Sequence, residues 1–183
     1  MIIRKLFYFD NANFVRTAQN SFTPSLQAGS FKTEILLASD FFDNGQMIID
    51  FGMMKHYFSD IIQLFNHSTI FCSDDQNENI ELIKHYNPRW IAIPFNPSIE
   101  QFARIIFFFV HHFLPLIPYE NGEKEIRLHS VIVHEGEATS VECYEEDLLN
   151  TNLGIIEPSK IILSSELQQE LKFPHIWTQI LQL

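Results

Sequence analysis

The chain has 183 residues, enough for one domain with its own core, and carries a net charge of -11 with an isoelectric point near 5.0. It has no Lys/Arg cluster, which speaks against nucleic acid or an anionic membrane as a partner. Apolar residues make up 46%, and 18 residues are Phe, which favours a large buried interior or a subunit interface. Cys72 and Cys143 make neither a disulfide framework nor a CxxC pair. Free thiols in a reducing cytosol, and so a cytoplasmic protein, are the expectation. The opening MIIRKLFYFD lacks the pattern of a signal peptide. The most apolar run, Ile105 to Val110, is far shorter than the ~20 residues of a membrane helix.

Ile2 to Phe14 reads as a strand, with Ile3, Lys5, Phe7 and Phe9 on one face and Arg4, Leu6 and Tyr8 on the other. Thr17 to Leu26 has no period and contains Pro24, so it reads as a loop. Phe31 to Ala38 is a second strand. Asp43-Asn44-Gly45 is turn chemistry, and Phe41 to Ile49 is expected to continue the pairing as a short bulged ribbon. From Asp50, a fair N-cap, the period changes to that of a helix, with Phe51, Met54, Phe58, Ile61, Ile62 and Phe65 on one face. Asn66-His67 and the polar loop Ser73-Asp74-Asp75-Gln76 follow, then a short helix from Asn77 to His85 and a short strand from Trp90 to Phe95.

Asn96-Pro97-Ser98 opens a second long helix, with Ser98 as N-cap and Gln101 in place of a capping-box Glu. Phe102, Ile105, Ile106, Phe109 and Phe113 form its apolar face, and Pro115 ends it. After a turn at Asn121-Gly122, Ile126 to Val133 and Thr139 to Tyr144 read as paired strands joined by Glu135-Gly136-Glu137-Ala138. Strand pairs separated by helices predict an α+β fold with an antiparallel sheet. The tail is expected to hold a helix within Lys160 to Lys172 and an amphipathic segment from Phe173 to Leu183.

His111-His112 lie side by side on a helix and point about 100° apart, so they read as surface or core-edge residues. His129 and His134 are five apart on a strand and are expected on opposite faces. No HxH or HxxxH pair exists, and no local zinc signature. Glu135 stands at the tip of the last hairpin. A carboxylate ending a buried strand needs a partner. Adjacent N–H donors on a pterin or guanine edge would meet it bidentately. An exposed turn residue is the alternative reading.

Six segments together resemble the 6-pyruvoyl-tetrahydropterin synthase and 6-carboxytetrahydropterin synthase family. FYFDNANFV resembles its first strand, of the type FSFDAAHRL, and GSFKTEILL its second. GQMIIDFGMMK is similar to GMVVDFGDLK, the most specific segment. LFNHSTI is similar to LDHRNL, NPSIEQFARII to NPTAENLAR, and VIVHEGEATSVECY to the Glu-bearing final hairpin. The resemblance implies a tunnelling fold over residues 1–145, a four-stranded antiparallel sheet with two long helices packed on one face. Residues 146–183 would be a C-terminal extension packed on the same domain. It further implies trimers or hexamers joined through sheet edges, with pockets between subunits.

The family's LHGHSY stands where this chain has LQAGSF. Its two histidines, with a third at the end of the first strand, hold a catalytic zinc. The matched positions are Gln27, Gly29 and Asn13, so no metal or other cofactor is expected here. The family's proton-abstracting Cys falls near Phe22 and Thr23. Its Asp-His pair becomes Asn66-His67, and Glu135 matches the pterin-anchoring Glu. The resemblance therefore implies a degenerate member that keeps a pterin- or purine-like pocket around Glu135. Two alternatives stand beside it. One is an active lyase on 7,8-dihydroneopterin triphosphate, in pterin or queuosine precursor synthesis, with His67 as base. The other is a structural or interaction protein.

Overall fold

A computed structural model of the chain describes residues 1–15, 25–75 and 79–183. The loop expected over Thr17 to Leu26 lies outside these residues up to position 24, and the start of the helix expected from Asn77 lies outside them as well. The elements in chain order are β1 (Ile2–Val15), β2 (Ser25–Ala38), α1 (Phe51–Phe65), β3 (Thr69–Cys72), α2 (Asn79–Tyr86), β4 (Trp90–Ile93) and α3 (Ile99–Phe113). Then come β5 (Arg127–Glu135), β6 (Thr139–Cys143), α4 (Glu145–Leu149), β7 (Ile162–Leu163), α5 (Ser165–Glu170) and α6 (Pro174–Leu181).

Among the described residues the strands form one sheet in the order β6-β5-β2-β1-β3-β4-β7. The expected four-stranded antiparallel sheet is therefore incomplete. β6, β5, β2 and β1 do pair antiparallel, but β3 joins β1 in parallel at Ala12 and Asn13, and β4 joins β3 in parallel. β7 closes that side antiparallel to β4. The sheet is seven-stranded and mixed. The TIFC run of β3 is four buried residues, too short for a period to show in sequence.

Alternation along β1 divides the layers. Phe7 and Phe9 face α1 and α3, while Phe14 turns to the other side with Phe71, Ala92 and Ile80 of α2. The main core joins the first hairpin to both long helices through four rings. Phe9 stacks on Phe31 at 5.1 Å and lies 5.6 Å from Phe65, while Phe102 meets Phe31 edge-on at 5.4 Å and Phe65 at 5.9 Å.

Asp50 caps α1 by accepting from Gly52 N at 2.6 Å. Phe51, placed on the apolar face by sequence, is instead 48% exposed, because it is the first residue of the helix and Lys5 covers only its ring face. Phe41 to Ile49 forms turns rather than a paired ribbon. Asp43 Oδ1 accepts from Gly45 N and Met47 N at 2.8 Å each, and Oδ2 from Asn121, so the carboxylate knots the segment on itself. Ser98 precedes α3 without a side-chain cap bond, and Gln101 accepts from Arg104 rather than completing a capping box.

With the turn that follows it, α3 spans 18 residues (Ile99–Leu116) and is long and apolar enough by composition to cross a membrane. Here it is the core helix, with every residue from Phe102 to Val110 buried. The tail supplies part of that cover. Trp177 of α6 sits 5.0 Å from Phe109 and 5.6 Å from Phe113.

The tail is fastened by one buried carboxylate on α1. Asp60 is 3% exposed and accepts from Trp177 Nε1 at 2.8 Å and from the Lys172 backbone N–H at 3.2 Å. Asp60→Ala strands two donors in a buried site, each worth about 1–3 kcal/mol if left unpaired. We expect urea unfolding to show a loss of roughly 2–4 kcal/mol, and limited proteolysis to release the chain after Leu149. A loss below about 0.5 kcal/mol, the scale of an ordinary surface substitution, would contradict this anchoring role.

Candidate functional site

β1 and β2 pair along their whole length with Phe9 opposite Phe31, Asn11 opposite Gly29 and Asn13 opposite Gln27. Alternation puts all six on the helix side of the sheet. The three positions matched to metal ligands, Asn13, Gln27 and Gly29, are thus brought together beyond the Phe9–Phe31 stack. Directly opposed residues of an antiparallel pair have Cβ atoms ~4.5–5.5 Å apart, close enough for Asn13 and Gln27 to share one ligand.

Glu135 joins them from β5. It pairs with Phe31, and its Oε1 lies 3.7 Å from the place a Cβ on Gly29 would occupy. It is exposed rather than the end of a buried strand, because β5 stops there and turns at Gly136. The same Cβ would meet Phe31 ring carbons at 2.7 and 2.8 Å. That ring is fixed between Phe9 and Phe102, so the missing side chain at position 29 makes room for the core.

The donors at this site do not fit zinc. Two are neutral amides and the third position has no side chain, whereas zinc selects imidazole, thiolate and carboxylate. Among the described residues no three His, Cys, Asp or Glu side chains converge as a metal site. Phe22 and Thr23, at the family's cysteine position, lie outside the described residues. Cys143 offers no substitute. Burial, and then Asp147, push its thiol up to about 12 despite Arg104 nearby, so it stays protonated.

His67 arrives by a different route. It closes α1 in the left-handed conformation (φ 55°), and its N–H donates to Asp10 O at 2.6 Å. The Asn66 side chain accepts from Asp10 N at 3.1 Å and donates to Gln63. Arg89 donates to the carbonyls of Gln63 and Asn66 at 3.0 Å each and pairs with Glu170. His67 is exposed at the β1 edge, about three strand spacings of ~4.8 Å from Glu135 across β1 and β2. The sequence candidates therefore fall into two places. Asn13, Gln27 and Gly29 share one face of the β1–β2 pair, Glu135 leans over Gly29 from β5, and His67 lies on the far side of β1.

The structure adds a residue that sequence reading passed over. Asn11 is 6% exposed, as is Asn13. Both Asn11 side-chain polar atoms and Asn13 Oδ1 are buried without a hydrogen-bond partner among the described residues. The signal was its phase, since Asn11 continues the buried series Phe7, Phe9.

On the opposite face, β5 is tied to β2. His134 Nε2 donates to Glu34 Oε1 at 2.9 Å, and Arg4 and Lys32 reach the same carboxylate at 2.9 and 3.3 Å. His129 was expected on the other side from His134. The register slips between Leu36 and Leu37, so Leu128, Val131 and Val133 all pack on the core, and His129 rests against Tyr144 at 5.9 Å. His111 and His112 pack at the core edge on Phe107 and Phe108.

A sequence model of the 6-pyruvoyl tetrahydropterin synthase family matches residues 2–146. The chain belongs to that family. A 6-carboxy-5,6,7,8-tetrahydropterin synthase of Helicobacter pylori (strain J99) is 26% identical over 151 residues, covering 82% of this chain and 76% of the relative. Among solved structures, an uncharacterized protein of Wolinella succinogenes superposes with a TM-score of 0.60 at 17% identity, covering 79% of this chain and 98% of its own. The Plasmodium vivax 6-pyruvoyl tetrahydropterin synthase gives 0.57 at 17% identity, with the same coverage of both chains. These likenesses show the fold. The family match ends near the start of α4, so most of the tail lies beyond it.

Two outcomes follow from this geometry. Gly29→Ala forces the Phe31 ring out of its stack and should cost about 1–3 kcal/mol in chemical denaturation, as overpacked cores do; an unchanged midpoint would show the ring is free to yield. Burial works to raise the Glu34 pKa, but Lys32, Arg4 and His134 outweigh it and hold it below the ordinary value of about 4.5. A depressed carboxyl stabilises the fold above its unfolded pKa, and that stability is lost as pH falls through the folded value. Glu34→Gln should therefore be less stable than wild type at pH 7, with the gap narrowing below about pH 4.5. A gap that is constant with pH would assign the loss to packing alone.

Proposed function

We propose that this family member binds a pterin-like ligand at the β1–β2–β5 end without zinc, and that it lacks the zinc-dependent lyase reaction. The observation that carries this reading is the donor set at the matched metal positions, Asn13, Gln27 and Gly29, with Glu135 retained beside Gly29. Without a metal, a substrate hydroxyl loses its Lewis acid. Without a cysteine at the family's position or a carboxylate in place of Asn66 beside His67, the neighbouring proton loses its base. Ring recognition through Glu135 depends on neither. The curated relatives' names, 6-carboxy-5,6,7,8-tetrahydropterin synthase, support a pterin as the ligand class.

The test is a fluorescence titration of native protein with neopterin, with Glu135→Gln as control and metal analysis of the same sample. Saturable binding that falls at least tenfold in the variant is expected, with well under one zinc per chain. About one zinc per chain would overturn the metal-free reading. Binding that is indifferent to Glu135→Gln would overturn the assigned pocket. Turnover of 7,8-dihydroneopterin triphosphate abolished by His67→Ala would replace this reading with a lyase.

A further inference from the structure

A cavity of ≈ 510 Å³, partly open to solvent, lies between α1 and the tail and shares no lining residue with the β1–β2–β5 end. One wall is a row on α1: Lys55, Ser59 and Gln63, spaced by four residues and so aligned along one side of the helix. The other wall comes from α5 and the turn after it, beyond the segment matched by the family model. It brings Lys172 to the α1 row, with its Nζ donating to Ser59 Oγ at 3.4 Å. Leu64, Leu167 and the half-buried Leu171 line the apolar side.

Two exposed lysines from separate elements thus meet at one cavity, and neither makes an ion pair among the described residues. Asp and Glu outnumber Lys and Arg by 23 to 12 in this chain, so a partner is not missing for want of supply. Gln63 adds a neutral donor, since its Oε1 accepts from Asn66 and its NH2 group has no partner among the described residues. The two carboxylates of the lining are already engaged. Asp60 is buried and held by Trp177 and the Lys172 N–H, and Glu170 pairs with Arg89. Counting Arg89, three cations stand against two carboxylates, which leaves one positive charge in excess on a chain of net charge -11.

We infer that this cavity binds a small organic monoanion, a carboxylate on an aliphatic stem, with the carboxylate held by Lys55 and Lys172 and the stem against the leucines. Hydrogen bonds from an ammonium to a carboxylate are stronger than neutral ones, and a partly enclosed pair is screened less than one in open solvent. Burial of the stem adds the hydrophobic term. A dianion such as hydrogen phosphate is disfavoured, because Asp60 and Glu170 stand in the same walls and phosphate has no stem for the leucines. One lysine is on α1 and the other on the tail, so the ligand bridges them and fastens the tail by mass action.

The experiment titrates the full chain by calorimetry with hexanoate, 1-hexanol and inorganic phosphate, on wild type, Lys55→Met, Lys172→Met and Lys172→Arg. Hexanoate should saturate one site per chain and raise the wild-type melting temperature. It should bind wild type at least about tenfold more tightly than hexanol or phosphate does, and each Met variant at least about fivefold more weakly. Lys172→Arg keeps the charge and should retain most of the affinity. Both lysines are exposed, so the ligand-free variants should melt with wild type, as surface substitutions do. Hexanol binding as tightly as hexanoate would reduce the cavity to an apolar crevice, and phosphate binding as tightly would reduce it to a pair of surface cations; either overturns the inference. So would hexanoate affinity indifferent to both Met variants, or no saturation of wild type at about 10 mM. The comparison of the three ligands on wild type decides the matter even where a variant fails to fold.

Discussion

The stack of Phe9 on Phe31, with Phe65 and Phe102 closing around it, is the contact on which the rest of the molecule depends. Each ring comes from a different element, so one cluster sets the β1–β2 register, seats α1 and seats α3. Aromatic pairs add about 0.5–1.5 kcal/mol each beyond the area they bury, and rings with neighbours on all sides have little freedom to move. The cluster also limits the site. Phe31 extends over Gly29 and leaves no room for a side chain there. A histidine at position 29 is thus incompatible with this packing, for a steric reason as well as a chemical one. The missing side chain at position 29 and the seating of the Phe31 ring are one structural fact seen from two sides.

Beyond the family match, the tail answers a problem set by α3. The helix is apolar nearly all round, and the sheet and α1 cover only part of it. Trp177 and its neighbours on α6 cover more, while Arg104 holds the strap before them through the carbonyls of Leu153 and Gly154 at 2.7 and 2.6 Å. The two charged anchors, Asp60 and Arg104, are buried, and the Asp60 carboxylate and the two terminal nitrogens of Arg104 meet fixed partners, which is what lets a core tolerate charge. β7 meanwhile covers the outer edge of β4 and protects a short parallel extension that would otherwise expose its backbone.

What could be read in the sequence was whatever repeats or caps. Phe7 and Phe9 alternate, Met54, Phe58, Ile61 and Phe65 recur at helical spacing, and Asp50 stands where a cap belongs; all take those places. What escaped depends on distant partners. Thr69–Cys72 and Trp90–Ile93 are strands because they find β1 and each other, not because four residues declare a period. Asp43 pulls the following residues into a knot instead of a ribbon through a carboxylate whose partners are Gly45, Met47 and the remote Asn121. At the site, sequence matching named Asn13, Gln27 and Gly29 on one face of the β1–β2 pair and Glu135 beside Gly29, but passed over Asn11. The family pattern assigns nothing to that position, and only the fold shows that its amide is buried with no partner among the described residues.

The electrostatic character of the site follows from the same substitutions. A zinc ion would place positive charge at the end of β1, beside a carboxylate on β5. With amides in that position the only formal charge contributed by these five residues is that of Glu135, on a chain that is already at -11. Neutral amide donors stabilise a developing oxyanion less than a metal ion does. Unpaired buried amides disfavour apolar surface and favour a matching pattern of donors and acceptors. Burying the Asn11 amide and Asn13 Oδ1 without partners among the described residues costs stability that a well-packed apolar side chain would not lose.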